Sequence, residues 1–139
     1  MTYGEKCCWL GRYLAALERE KLLRDELLAL RERAVGCGKA FDDVPGAASD
    51  GQSLPRAVES ILKAQQELEC QINICGEIRS EVVAAIGTVQ NAKDQDILRR
   101  RYLLGHTYEQ IAEDVFFDER HVRRRHKAAV QALRLEGVP

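Results

Sequence analysis

Between Leu54 and Val89 one side-chain stripe runs without a slip: Leu54, Val58, Ile61, Gln65, Leu68, Ile72, Cys75, Arg79, Val82, Ile86 and Val89, each step alternating four and three residues. A helix turns once in about 3.6 residues, so this spacing lays every one of those side chains along a single seam. Five heptads in register predict a long helix whose seam is covered by another helix. Gln65 and Arg79 are the polar members of the stripe. They either set register and partner number or lie where the seam opens to water.

The partner helix is found upstream. Over residues 5 to 35, Trp9, Tyr13, Ala16, Leu23, Leu27, Leu30 and Ala34 repeat the four-three spacing, interrupted by Glu20, and Gly11 is the one residue that disfavours helix. Leu10, Leu14, Leu17 and Leu28 widen the apolar face beyond a two-stranded seam. Between the two helices Gly36 to Ser53 (GCGKAFDDVPGAASDGQS) is rich in Gly, Asp and Ser and contains a proline, which predicts a connection. Folding the two helices back on each other hides most of both stripes, at roughly 1.5 to 3 kcal/mol per large aliphatic side chain. Leu10, Leu14, Leu62 and Val83 still need cover, so the expected state is a homodimer built as a helical bundle.

From Asp96 the pattern changes to short helices: DILRRRYLLGHTYEQIAEDVFFDERHVRRRHKAAVQAL. A first helix over about Lys93 to Leu104 offers Ile97, Leu98 and Tyr102 to a core and stops at Gly105, the residue that most readily takes a left-handed cap. Thr107 with Gln110 three residues on has capping-box spacing, and Tyr108, Ile111, Ala112 and Val115 then share one face of a short helix. The small side chain of Ala112 lets the next helix come close. After Phe116 and Phe117, Asp118 is a suitable N-cap for a third helix running to about Leu135.

That third helix has two faces of different chemistry. At 100 degrees per residue Val122, Ala129 and Leu133 fall together with Val130 beside them, while Arg120, Arg124, Lys127, Gln131 and Arg134 lie opposite with Arg123 adjoining. Residues 118 to 134 hold six Lys/Arg against two acids, a local excess of four, in a chain whose net charge is −1. The commonest fate of a basic run is a solvated face. Here it stands at the end of a capped short helix, a small-residue contact and two tight turns, the arrangement of a recognition helix whose arginines meet guanine edges and whose other cations meet phosphates. His121 and Arg123 are placed to touch bases or backbone.

Other functions find little support. No CxxC pair occurs, and Cys70 to Cys75 and His121 to His126 are both five apart, a spacing that puts side chains on different helix faces, so no metal site is expected. There is no Gly-rich phosphate loop and no GxSxG, so neither an enzyme nor a cofactor is expected. The five cysteines are read as reduced packing residues. Nothing approaches the roughly 18 uncharged residues that span a bilayer, and Glu5 and Lys6 stand where a secretory signal needs an apolar core, which predicts no membrane contact and a cytoplasmic location.

The stretch RRRYLLGHTYEQIAEDVFFDERHVRRRHKAAVQAL resembles the C-terminal region 4 of sigma-70-type factors in its Arg-Tyr-Leu, its Gly turn, its Ile-Ala pair and the Val early in the recognition helix. The whole layout, with the coiled N-terminal half and the Val44-Pro45-Gly46 loop, is similar to the small sigma-like regulators of phages and prophages of the RinA and ArpU type. The resemblance implies control of phage structural, packaging or lysis genes, with double-stranded DNA as partner and RNA polymerase as a second candidate. By position it implies that Arg120, His121, Arg123, Arg124 and Lys127 face DNA, that Thr107 joins them at the start of the second helix, and that Ile111, Ala112 and Val122 hold the unit together. Two positions depart from the pattern. Phe116 stands four after Ala112, where Gly makes the turn, so a reshaped turn is expected. Arg125 replaces an aliphatic residue, its stem expected over the core edge and its head reaching out.

The expected fold is all-α: residues 1–90 form a coiled-coil-like long-helix hairpin with the loop 36–53, and residues 91–139 form a three-helix unit with a helix-turn-helix. The aromatic cluster with which a full sigma factor melts promoters is not visible before residue 90, so a dimeric regulator at an upstream element, on an inverted-repeat site, is the expectation. Two rivals use the same parts: a phage small terminase subunit, and a coiled-coil interaction protein whose tail binds polymerase instead of DNA.

Overall fold

The computed structural model describes residues 1–43 and 53–135, with side chains for 1–36 and 54–135. Among these all regular structure is helical: α1 Tyr3–Leu10, α2 Arg12–Asp43, α3 Ser53–Gly87, α4 Ala92–Tyr102, α5 Tyr108–Val115 and α6 Glu119–Ala132. The described chain is all-α as expected, one short and two long helices preceding three short ones. The Val44-Pro45-Gly46 loop lies outside the described residues.

The start of the chain is more ordered than its sequence suggests. Thr2 caps α1: its hydroxyl accepts from the Glu5 N–H (3.2 Å) while the Glu5 carboxylate accepts from the Thr2 N–H (2.6 Å), the reciprocal pattern of a capping box. Gly11 then separates α1 from α2 without loosening them, because its N–H donates to Cys7 O (2.9 Å) and its carbonyl accepts from Ala15 N–H (3.2 Å). The expected helix over 5 to 35 is therefore two helices joined at the expected weak point. The expected connection from Gly36 is corrected over its first part: α2 continues to Asp43. Gly36 and Gly38 each cost a helix about 1 kcal/mol, but Lys39, Ala40 and Phe41 are compatible with it and the first proline is Pro45.

The chain divides into two compact units. One joins Met1–Leu17 to the chain from Cys75 onward, so the unit that carries the three short helices is physically wider than residues 91–139. Its larger core cluster holds Trp9, Leu10, Val82, Ile86, Leu98, Tyr102, Ala129, Val130 and Leu133. A smaller one holds Ile97, Ile111, Ala112, Val115 and Val122. Arg12 stacks over Trp9 (4.6 Å to the ring centroid) and pairs with Glu81 of α3 (2.5 Å).

The second unit, Glu18–Ile74, is made from the rest of α2 and α3. Leu23 and Leu27 are buried in it, and Glu20, the polar break in the first stripe, is buried with them and held by Arg24 one turn on (3.1 Å). Arg19 and Glu67 pair across the helices (3.6 Å). Much apolar surface stays open here: Leu22, Leu28, Val35, Leu54, Val58, Leu62, Ile72 and Ile74 are all exposed. Gln65 is half-buried, and in the first unit Arg79 is exposed, as a residue at a wet seam would be. Cys75 is buried and Cys7 half-buried, but Cys8 and Cys70 are exposed, so not every cysteine is a packing residue. The Cys37 side chain lies outside the described set.

Candidate nucleic-acid interface

The interface is assembled in the first unit by three capped helices. Asn91 opens α4, its side-chain oxygen accepting from the Lys93 and Asp94 N–H groups (2.9 and 3.2 Å). The helix ends at Tyr102, and the chain turns through Gly105 at φ 72°, where His106 N–H reaches Arg100 O (3.0 Å). The left-handed glycine thus stands where the sequence requires it, slightly past the helix end.

Thr107 caps α5 as its spacing predicts: its hydroxyl accepts from Gln110 N–H (3.2 Å), and its own N–H donates to the Gln110 side chain (2.8 Å). Ile111, Ala112 and Val115 are buried. At Phe116 the turn keeps the left-handed conformation (φ 60°, ψ 37°), with its N–H donating to Ala112 O. The reshaping expected from a bulky residue here does not occur; the chain accepts a strain of roughly 1 to 2 kcal/mol. The Phe116 side chain is 91% exposed, whereas Phe117 turns inward, edge-on to the His121 ring at 4.5 Å.

Asp118 caps α6, accepting from His121 N–H (2.6 Å). Val122, Ala129, Val130 and Leu133 are buried as the helical arc requires, and so is His126. The opposite face is open: Arg120, Arg123, Arg124, Lys127, Gln131 and Arg134 are exposed. These side chains differ in freedom. No ion pair engages Arg120 among the described residues. Arg124 is close to His121, Nη2 to Nδ1 2.6 Å. Arg123 donates twice to the Glu119 carboxylate (3.1 and 2.7 Å), which raises its pKa above the usual value, and lies over the Tyr108 ring (4.5 Å). Arg101 covers the same ring at 4.3 Å, so Tyr108 bears two guanidinium groups. Arg125 does not reach out: its Nε donates to Asp94 at the start of α4 (2.7 Å), tying α6 to α4. Its stem is half-buried, as expected of a residue in an aliphatic position.

His126 is the residue that sequence reading missed. Its ring is 1% exposed, with Nε2 at 2.7 Å from the Tyr102 hydroxyl and Nδ1 at 3.3 and 3.5 Å from those of Tyr3 and Tyr108. Burial, with the nearby Arg101 charge, pushes its pKa down to about 4, so it sits neutral. Burial likewise raises the Tyr3 hydroxyl to about 12 and Tyr102 further. The signal was available: His126 is four residues from both Val122 and Val130, on the inward arc.

Chemically, this is a helix with a packed apolar back and a front of long donors beside a second helix whose N-terminus is exposed at Thr107. Residues 91–135 match the family model for Sigma-70, region 4. The match covers 45 of 139 residues, about a third of the chain. The helices α4 to α6 are consistent with the helix-turn-helix fold of region 4, and the match points to a DNA-binding transcription regulator. No curated protein and no solved structure matches the chain. No described helix is long and apolar enough to cross a membrane.

Proposed function

We propose that the protein is a sequence-specific DNA-binding transcription regulator of phage or prophage origin that lays α6 in the major groove. The observation that carries the reading is the two-faced α6: a fully packed back, and an exposed front on which Arg120, Arg124 and Lys127 extend from one side. Arg120 and Arg124, in the first half of the helix, reach base edges; Lys127 follows along the groove to phosphate. Arg123, held by Glu119, and His121, its ring against Phe117, take backbone or water-bridged contacts. Thr107 uses the hydroxyl proton left over from capping for a phosphate at the α5 N-terminus. Two copies associate through the exposed apolar side chains of α2 and α3, and the pair reads an inverted repeat. RNA polymerase is the second partner.

Duplexes selected from a random pool test this. Wild-type affinity should fall steeply with salt, with a log-log slope near −0.9 per phosphate neutralised, about five phosphates in all. Arg120→Ala with Arg124→Ala should cost about a hundredfold in affinity with helix content unchanged, since each guanidinium pairing is worth about 1 to 3 kcal/mol. A flat salt response would leave the interaction protein whose tail binds polymerase; a ring-sized mass in solution would favour the packaging subunit.

A further inference from the structure

The C-terminal half of α6 takes support from the start of the chain that its N-terminal half does not. Val122, near its start, packs with Ile97, Ile111, Ala112 and Val115, all inside the Sigma-70 region 4 match. Ala129, Val130 and the following Leu133 pack with Leu98 and Tyr102 of α4, inside the match, and also with Trp9, Leu10, Val82 and Ile86, outside it. Polar contacts from α1 add to that support. Tyr3 of α1 reaches His126 Nδ1 and presents its ring edge-on to the imidazole (84° between planes, 6.3 Å between centroids). The Lys127 ammonium lies 5.8 Å from the Tyr3 ring centroid. Lys6 Nζ donates to Gln131 O (2.9 Å), a cation on a carbonyl of the last turn of α6, where the helix dipole is negative.

We infer that α1 is a brace for the DNA-reading helix and that Tyr3 and Lys6 are positioning residues, setting the seat of the C-terminal half of α6 from the opposite end of the chain. The inference rests on α6 being the recognition helix. Its physical basis is that each contact removed from the far end of a helix lets that end tilt more freely, and base readout needs donors placed within a few tenths of an ångström. The His126 imidazole has two ring nitrogens. Tyr102 of α4 lies within bonding distance of one, and Tyr3 of α1 approaches the other, with Tyr108 of α5 beside it. Removing the Tyr3 hydroxyl leaves the ring packed and takes away one contact that fixes the rotation of α6 at residue 126. Removing the Lys6 ammonium takes its hydrogen bond from the Gln131 carbonyl. Neither change alters the exposed front of α6.

The test uses the full chain with Tyr3→Phe and Lys6→Met. Two quantities are read. One is hydrogen exchange of α6 amides, where residues 126 to 132 should exchange about three- to tenfold faster in either variant while residues around 122 do not change, as expected for loss of one hydrogen bond. The other is the ratio of affinities for a duplex selected with the wild type and for a scrambled duplex, which should fall by about the same factor. That ratio is insensitive to a loss of folded protein, because inactive chains weaken both affinities equally. Tyr3→Phe leaves the charge unchanged, so its salt slope should remain that of the wild type. Unchanged exchange at 126 to 132 in both variants overturns the brace, as does a preserved discrimination ratio. Faster exchange in a protein whose wild type does not discriminate duplexes would keep the brace and remove the DNA reading instead.

Discussion

Along α3 one uninterrupted heptad seam passes from Leu54, Val58 and Ile72, which are exposed, to Cys75, Val82 and Ile86, which are buried, although the two stretches are alike in spacing and composition. The difference is one of company. In the first unit the seam meets Trp9 and Leu10 from the start of the chain and Ala129, Val130 and Leu133 near its end, so three layers of side chain close over it. In the second unit two helices alone must cover each other, and a pair of helices has too little inward surface to hide two wide apolar faces. Periodicity states that a face wants burial; it does not state which chain supplies the cover.

The strongest way to break this contrast is to place the same charge at both ends of the seam. Ile86→Asp puts a carboxylate where exposure is 0%, at a cost comparable with the whole stability of a small domain, about 5 kcal/mol or more. The first unit should lose its cooperative unfolding transition. Ile72→Asp acts where the side chain is 41% exposed, so the chain should stay folded, with stability lowered by about 1 kcal/mol. With two copies paired through α2 and α3, as proposed above, its effect should appear in light scattering as a drop in mass to that of one chain. Equal unfolding by both variants would show that the second unit is as closed as the first.

Much of the first unit was legible because its signals are local. Thr107 and Gln110 cap across three residues, Asp118 caps α6, and Ile111, Ala112, Val115 and Val122 keep a helical arc, so each could be placed without knowing its neighbours. The basic front of α6 was legible for the same reason. What escaped is long-range. Nothing near Arg125 announces that Asp94, 31 residues back, accepts from it, and nothing near His126 announces Tyr3, 123 residues away. Gly36 to Asp43 was misjudged because glycine lowers helix propensity by an amount that a long continuing helix can absorb.

The node around His126 sharpens the comparison, since it is a buried titratable group in the closed unit. Its pKa in the folded chain is about 4, against 6.5 for a free imidazole. Above pH 6.5 both folded and unfolded chains carry it neutral, and the fold is at full strength. As pH falls, the unfolded chain takes up the proton first, so stability is lost progressively from about 6.5 down to about 4, by an amount on the order of 3 kcal/mol. Tyr3, Tyr102 and Tyr108 touch the ring and the Arg101 charge lies near it, with Cys7 by Tyr3 and Tyr102 and Lys127 by Tyr3, and none of these offers a carboxylate that would favour the cation. Urea midpoints measured between pH 7.5 and 4.5 should fall in the wild type and fall less in His126→Gln, which does not titrate. Parallel curves for the two proteins would show that the imidazole is solvated.

Phe116 supplies the smallest and most local test, because it is the exception inside the closed unit: a large aromatic side chain, almost wholly in water, on a left-handed backbone. A glycine there relieves the clash between Cβ and the following carbonyl, worth roughly 1 to 2 kcal/mol, and costs up to about 1 kcal/mol in unfolded-chain entropy. Because the ring is exposed, its loss removes little burial, and Phe116→Gly should raise stability by about 0.5 to 1 kcal/mol. The N–H to Ala112 O bond at the α5 end is backbone and survives the change. A thermal scan of the two proteins decides the matter: a lower midpoint for the glycine variant would mean that the Phe116 ring packs against something, and the turn would then have to be counted with the core.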